Sequence, residues 1–218
     1  PKEYFIEGMD PEVERVVRSA IEKYRDWGAE IIPVSLPNTS SALECYYIIM
    51  PAEVSSNLAR YEGIRYGTRM PAATLAEIYN STRGALFGAE VKRRIMIGSY
   101  VLSSGYYDAY YEKAQRVRTL LRRDFDEIFK TVDVIASPTV PSIAFKLGEK
   151  INDPINMYLS DIYTVSANLA GLPAISFPCG MAHGMPVGLQ LQARLWGEST
   201  LLTLANAFER RLEWTTQL

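Results

Sequence analysis

Residues 106–136, YYDAYYEKAQRVRTLLRRDFDEIFKTVDVIA, decide the fold class. Tyr106 to Phe129 reads as a long amphipathic helix. Val132-Asp133-Val134-Ile135-Ala136 follows as a short buried strand, stopped by Pro138 and Pro141. The same alternation continues in both directions. Towards the N-terminus, Asp10 is a good N-cap and Pro11 suits the first helical position. Val13, Val16, Val17, Ala20, Ile21, Tyr24 and Trp27 then recur at helical spacing until Gly28. Ile31-Ile32-Pro33-Val34, within Glu30 to Leu36, predicts an edge or irregular strand because of its proline. Ser40 to Tyr61 predicts a helix broken or kinked at Pro51. Thr74-Leu75-Ala76-Glu77 is a capping box opening another helix, punctuated by Gly84 and Gly88, and Glu90 to Leu102 predicts one more before the Ser104-Gly105 turn. Towards the C-terminus, residues 142–156 read as a loop and Met157 to Ala170 as a helix ended by Gly171. Ala174 to Phe177 reads as a strand held between Pro173 and Pro178, and Gly180 to Gly184 as a turn. Val187 to Ala193 is a further strand, and Glu198 to Leu212 a final helix. Strands alternating with long helices give the class α/β, read as a single domain over 1–218.

Lys and Arg number 23 and Asp and Glu 25, for a net charge of −2, with 48% hydrophobic and 22% charged residues. That composition excludes a disordered chain and speaks against nucleic-acid binding, which shows as a basic excess. A chain of this length buries about 70% of its unfolded surface, so no metal or disulfide staple is needed. Cys45 and Cys179 are too few for a disulfide framework and are expected as buried or half-buried thiols; with His183 the only histidine, no zinc set is available. No apolar run of 18 residues predicts a transmembrane helix, and no signal peptide is visible. The chain opens on Pro1 rather than Met, which predicts a processed start or a piece of a longer polypeptide.

Common catalytic motifs are missing. There is no Gly-x-Ser-x-Gly elbow, no P-loop and no Gly-x-Gly-x-x-Gly. A Ser-His-Asp triad would depend on His183, which reads as an exposed hairpin tip in Met181-Ala182-His183-Gly184-Met185. Ser103-Ser104-Gly105 invites a nucleophile reading, but serines ending one helix and capping the next account for it. Tyr106, Tyr107, Tyr110 and Tyr111 precede Lys113, Arg116, Arg118, Arg122 and Arg123, a pattern that can bind single strands. Asp124, Asp126 and Glu127 follow at once, so a half-buried aromatic helix with a solvated charged face is the expectation.

Several blocks together resemble one family. They are Pro37-Asn38-Thr39, Tyr46-Tyr47-Ile48-Ile49, Glu53 to Tyr61, Gly63-Ile64-Arg65-Tyr66-Gly67, Phe87 to Ile95 and Leu102 to Tyr111. The family is that of the A subunits of aspartyl/glutamyl-tRNA amidotransferases, within the amidase signature enzymes. Ser137-Pro138-Thr139, Asn168 to Pro173 and Gly188-Leu189-Gln190-Leu191 support it. The resemblance runs the whole chain but covers about the C-terminal half of such a protein. It implies the C-terminal half of the amidase signature fold, a mixed β-sheet flanked by long helices.

The resemblance also implies chemistry. The intact protein hydrolyses the carboxamide of glutamine, and the ammonia passes to a partner that amidates Glu-tRNA(Gln) or Asp-tRNA(Asn) in translation. The family's catalytic Lys, cis-Ser and nucleophilic Ser belong to a Gly/Ser-rich signature that no stretch here matches. No catalytic residue is therefore assigned, and the isolated chain is expected to be inactive. Arg94 matches the arginine that holds the substrate carboxylate, Asp161 the acid that takes its ammonium, and Tyr46 a tyrosine lining the glutamine pocket. An arginine suits the first role because its planar fork binds both carboxylate oxygens. No cofactor is expected in this chain; ATP and Mg are expected at the partner subunit. The implied partners are the amidotransferase B and C subunits, with tRNA met only through the complex. The implied location is the cytoplasm, or an organelle in a eukaryote. An uncovered sheet edge would favour self-association of this half. Two other readings stay open: part of an amidase signature hydrolase acting on a different amide, and a non-catalytic module that docks on other subunits.

Overall fold

The computed structural model describes residues 1–5, 8–150 and 154–212. Contacts divide the chain into two compact units, one made of Pro1–Leu43 with Val117–Leu218 and the other of Glu44–Arg116. Nothing in the composition marks either seam.

The first unit is built on a three-stranded antiparallel sheet in the order β1-β3-β2, with β1 at Val134–Pro138, β2 at Ala174–Ala182 and β3 at Met185–Ala193. Helix α1 (Pro11–Asp26) and helix α8 (Glu198–Leu212) cover one face. Val13, Val16, Val17 and Ala20 of α1 meet Leu189, Leu191 and Val187 of β3, with Leu201 and Phe208 of α8 closing the core. A Cβ on Gly180 would lie 2.5 Å from Val16, so this glycine sets how closely helix and strand approach. The opposite face carries polar residues: Gln190 donates to Ser137 Oγ (3.1 Å) and to the Tyr163 carbonyl (3.0 Å). A second cluster packs Tyr4, Leu36, Phe125, Ile135 and Tyr163. Both cysteines are buried, and burial pushes the Cys179 thiol up to about 12.

The α1 boundaries follow their sequence signals. The Asp10 carboxylate accepts from the N–H of Glu12 (2.8 Å) and Val13 (3.3 Å), and Gly28 leaves the helix at φ 99°. The α8 limits agree with the sequence pattern, and Gly171 ends helix α7 (Val165–Ala170) in the left-handed conformation. Ala182 pairs with Met185 across His183 and Gly184, both at positive φ, which is the tight hairpin turn whose twist matches the strands. His183 is exposed there, with Nε2 3.1 Å from Asp10 and Nδ1 3.1 Å from Glu12.

Several expectations are corrected. β2 does not stop at Pro178 but runs to Ala182, shrinking the expected turn to two residues; β2 is an edge strand with an irregularity at Pro178–Gly180, where a missing N–H is tolerated. Ile31 to Val34 form no strand, because strand composition without a hydrogen-bonding neighbour does not make one. Met157 to Ala170 is two short helices, α6 (Pro154–Leu159) and α7, separated by turns at 160–164. Of the expected 142–156 loop, residues 151–153 lie outside the described residues. The α/β class stands, and the sheet among the described residues is wholly antiparallel rather than mixed.

The second unit is helical. Helix α2 (Ala42–Asn57) continues through Pro51 where a break is expected. Helix α3 (Leu75–Leu86) opens with both halves of the Thr74/Glu77 capping box and runs past Gly84. Helix α4 (Ala89–Val101) follows, and Tyr107–Glu112 forms a π-helical turn before α5 (Lys113–Ile128), where one continuous helix from Tyr106 is expected.

Candidate functional site

Two of the three expected site residues lie on α2 and α4, and a single glycine brings their helices together. A Cβ on Gly98 would stand 1.9 Å from the Pro51 carbonyl oxygen, so the two backbones touch as only glycine permits. Met50 precedes that contact on α2, and Arg94 lies one turn before it on α4. The Arg94 guanidinium consequently sits 3.6 Å from Met50 Sδ through Nη1 and 6.0 Å from the Tyr47 ring centroid. Its Nε donates to Glu90 Oε1 at 2.9 Å, the i,i+4 neighbour. Tyr46 meets Tyr47 edge-on at 5.3 Å.

This cation is more enclosed than the other arginines in ion pairs. Its side chain is 29% exposed, against 52–75% for the rest among the described residues. Burial is the largest influence on it and lowers its pKa. The Glu90 hydrogen bond and charge, with Tyr47 and Tyr46, outweigh that and raise the pKa above the ordinary arginine value. The result is a permanent planar cation, held along its Nε edge and flanked by a thioether and an aromatic ring. Such a group binds a carboxylate through its remaining N–H donors.

Asp161 belongs to the first unit, in the turn between α6 and α7, and its residue is exposed. Its carbonyl accepts from Thr164 N (2.9 Å), Thr164 Oγ1 (3.0 Å) and Val165 N (3.2 Å), which fixes the turn that presents it.

Other residues singled out in the sequence have structural work. Asn38 bonds Asp124 through its backbone N–H and its amide, and Arg118 donates to the Leu169 carbonyl at 2.7 Å. Ser103 Oγ donates to the Tyr100 carbonyl at 2.7 Å, ending α4 as a cap would. Tyr106, Tyr107 and Tyr110 are exposed, not half-buried, and Tyr106 stacks on Tyr110 and packs against Tyr100 beside the π-helical turn. The sequence reading missed Glu90, Met50, Tyr47 and Gly98 as parts of the Arg94 environment. The i,i+4 spacing of Glu90 and Arg94 and a glycine inside a helical pattern were the available signals. Among the described residues no three His, Cys, Asp or Glu side chains group to hold a metal, and no helix is long and apolar enough to cross a membrane.

The family description "Amidase" matches residues 1–202. The chain belongs to the amidase family. The chain is 57% identical over 217 residues to the A subunit of the glutamyl-tRNA(Gln) amidotransferase of Chloroflexus aurantiacus, covering all of this chain and 45% of that protein. The protein of the same description from Geobacter metallireducens is 57% identical over 219 residues, with 45% of it covered. The crystal structure of the glutamyl-tRNA(Gln) amidotransferase A subunit from Thermotoga maritima superposes with a TM-score of 0.73 at 37% identity, covering 96% of this chain and 41% of that one. The chain thus spans a little under half the length of the relatives it matches.

Proposed function

We propose that the chain is part of the glutamine-hydrolysing A subunit of a tRNA-dependent amidotransferase, and that it supplies glutamine recognition rather than the nucleophile. The observation that carries this reading is similarity along the whole chain, at 57% identity, to proteins described as A subunits of glutamyl-tRNA(Gln) amidotransferase. The enclosed Arg94 fork supports it, since free glutamine carries an α-carboxylate and an α-ammonium besides its carboxamide, which a simple neutral amide does not. Arg94 takes the carboxylate, Asp161 the ammonium, and Tyr46 shapes the slot for the side chain. The intact protein releases ammonia from the carboxamide, and the B and C subunits use it, with ATP and Mg, to amidate Glu-tRNA(Gln) or Asp-tRNA(Asn) in the cytoplasm. The 218-residue chain alone releases no ammonia from glutamine.

The test is kinetic, in the full-length protein with its partners. A charge-assisted hydrogen bond is worth about 1.5–3 kcal/mol, so Arg94→Ala lowers kcat/KM for glutamine roughly 10–150-fold, mainly through KM. A neutral amide without an α-carboxylate loses little. Asp161→Asn shows the same selectivity, because it removes charge while keeping shape, and Arg94→Lys does not rescue, because it loses the fork. Equal loss for both substrate types removes these residues from recognition. Clear ammonia release by the purified 218-residue chain overturns the division of labour.

A further inference from the structure

Glu90 lies in the first turn of α4, where the helix N-terminus favours a carboxylate, and both of its oxygens are engaged. Oε1 accepts from Arg94 Nε at 2.9 Å, and Oε2 accepts from Arg93 Nη1. The two arginines stand three and four residues on, which is the reach of one helical turn. Lys92, the remaining cation of that run, donates instead to the Gly84 carbonyl at 2.6 Å. Two guanidinium groups thus face one carboxylate, and a positive charge is left at this turn for an anionic substrate group.

The shape of the guanidinium decides where that anion can sit. It offers a carboxylate two bidentate edges, a side edge made by the Nε and Nη2 N–H groups and an end made by Nη1 and Nη2. On Arg94 the side edge is taken at Nε by Glu90. At the end, Nη1 lies 3.6 Å from Met50 Sδ, and a thioether is a weak acceptor that does not compete with a carboxylate. Nη2 has no hydrogen-bond partner among the described residues. The Tyr47 ring, with its centroid 6.0 Å from Cζ, flanks the group without occupying either edge.

We infer that Glu90 is a positioning residue that closes the side edge of Arg94, so that the substrate carboxylate seats end-on across Nη1 and Nη2. This rests on the reading that Arg94 takes the α-carboxylate of glutamine. Carboxylate and carboxamide stand at opposite ends of glutamine, so the edge that holds the first sets where the second lies. A carboxylate on the side edge aims the molecule in another direction and takes the carboxamide away from the reacting position. Arg94 without Glu90 offers both seats, one productive and one not. The unproductive seat adds affinity while withdrawing enzyme from turnover, so it lowers kcat without raising KM. Loss of the arginine itself raises KM.

Kinetics of the full-length protein with its partner subunits, on glutamine and on a neutral amide, test this. Glu90→Ala should lower kcat for glutamine roughly 10-fold or more without raising KM. The loss should be much smaller for the neutral amide, which has no carboxylate to misplace. Glu90→Gln keeps an oxygen that accepts from Nε and should restore most of the turnover. The unfolding midpoint of Glu90→Ala should stay close to that of the wild type, because exposed ion pairs contribute little to stability. Crystals of the full-length protein with glutamate, the product of the hydrolysis, give the direct readout. The carboxylate should lie about 3 Å from Nη1 and Nη2, and a carboxylate on the Nε edge overturns the inference. So does a rise in KM with kcat kept, an equal loss for both amides, or a Glu90→Gln variant as slow as Glu90→Ala; all of these leave Arg94 as the carboxylate site. An Arg94→Ala variant that slows both amides alike removes the reading on which the inference rests, and the inference with it.

Discussion

In the unit formed by 1–43 and 117–218, the fully buried side chains include Tyr4, Tyr163, Phe125, Phe208, Leu189 and Leu191. In 44–116 the buried apolar residues are Cys45, Ile49, Ala52, Ile78, Val101 and Ala114, and larger ones lie outside: Met96 is 73% exposed, Tyr66 54% and Ile64 49%. The first unit is stabilised by volume, with large side chains interlocked on a sheet face. The second is stabilised by proximity and local bonding: helix backbones in contact at Gly98, a capping box at Thr74, and ion pairs along helix faces. Tyr46 and Arg94, the residues proposed for recognition, fall in the unit with the smaller core, where a side chain can be held by a few directed contacts and still meet solvent.

The contrast is tested first at Phe208, whose ring lies 5.5 Å from Tyr24, 5.6 Å from Trp27 and 5.3 Å from Phe177. Phe208→Ala should cost about 3–5 kcal/mol in urea unfolding, and a loss below about 1 kcal/mol would mean that volume does not stabilise this unit. Gly98→Ala is the matching test of proximity. It should cost about 1–3 kcal/mol and raise the KM for glutamine in the full-length enzyme, since α2 and α4 must separate. If thermal melts show stabilisation instead, the backbone contact is not what holds the second unit. Asp10→Ala removes the α1 cap and should cost about 1 kcal/mol. The Glu12 N–H bond is the main reason the Asp10 carboxyl ionises below the usual range, with burial opposing it and Val13 and His183 adding to it. A depressed carboxylate adds stability above its unfolded pKa of about 3.9 and loses it as pH falls through the lower folded value. The charge-dependent part of the gap between wild type and Asp10→Ala should therefore be full at neutral pH and close in acid; a gap that is constant from pH 7 down to pH 2 contradicts this. The smallest effect is Gly84→Ala in α3, where a Cβ meets nothing within 4 Å. It should stabilise by up to about 1 kcal/mol, opposite in sign to the same change at Gly98, and equal signs in calorimetry would dissolve the comparison.

Signals that act within a few residues were legible in the sequence. The Asp10 cap, the Thr74/Glu77 box, the Gly171 stop and the limits of α8 depend on neighbours in the chain, and the structure has them where the pattern places them. Signals that need a distant partner were not. Ile31 to Val34 carry strand composition without the strand that would pair with them. Pro178 reads as a terminator because sequence does not show that β2 lies at an edge. Pro51 reads as a break because nothing local shows α2 continuing through it. For the site, no pattern separates Arg94 from Arg93; the resemblance singles it out. The enclosure that distinguishes Arg94 comes from Met50 and Tyr47, more than forty positions away.

The hydrogen bond from Tyr24 to the Leu204 carbonyl joins residues 180 positions apart, and α1 packs on a hairpin whose own strands are joined by two residues. These two scales set an order of events in time. The β2–β3 hairpin closes its turn locally, on the microsecond scale of such elements. α1 must close a loop of well over a hundred residues before its valines find Leu189 and Leu191, and that closure costs entropy before any burial offsets it. On the ribosome the imbalance is sharper, since within these residues α1 emerges first and its sheet is made almost last. Among these residues, its apolar stripe meets its β3 partners only once β3 is complete.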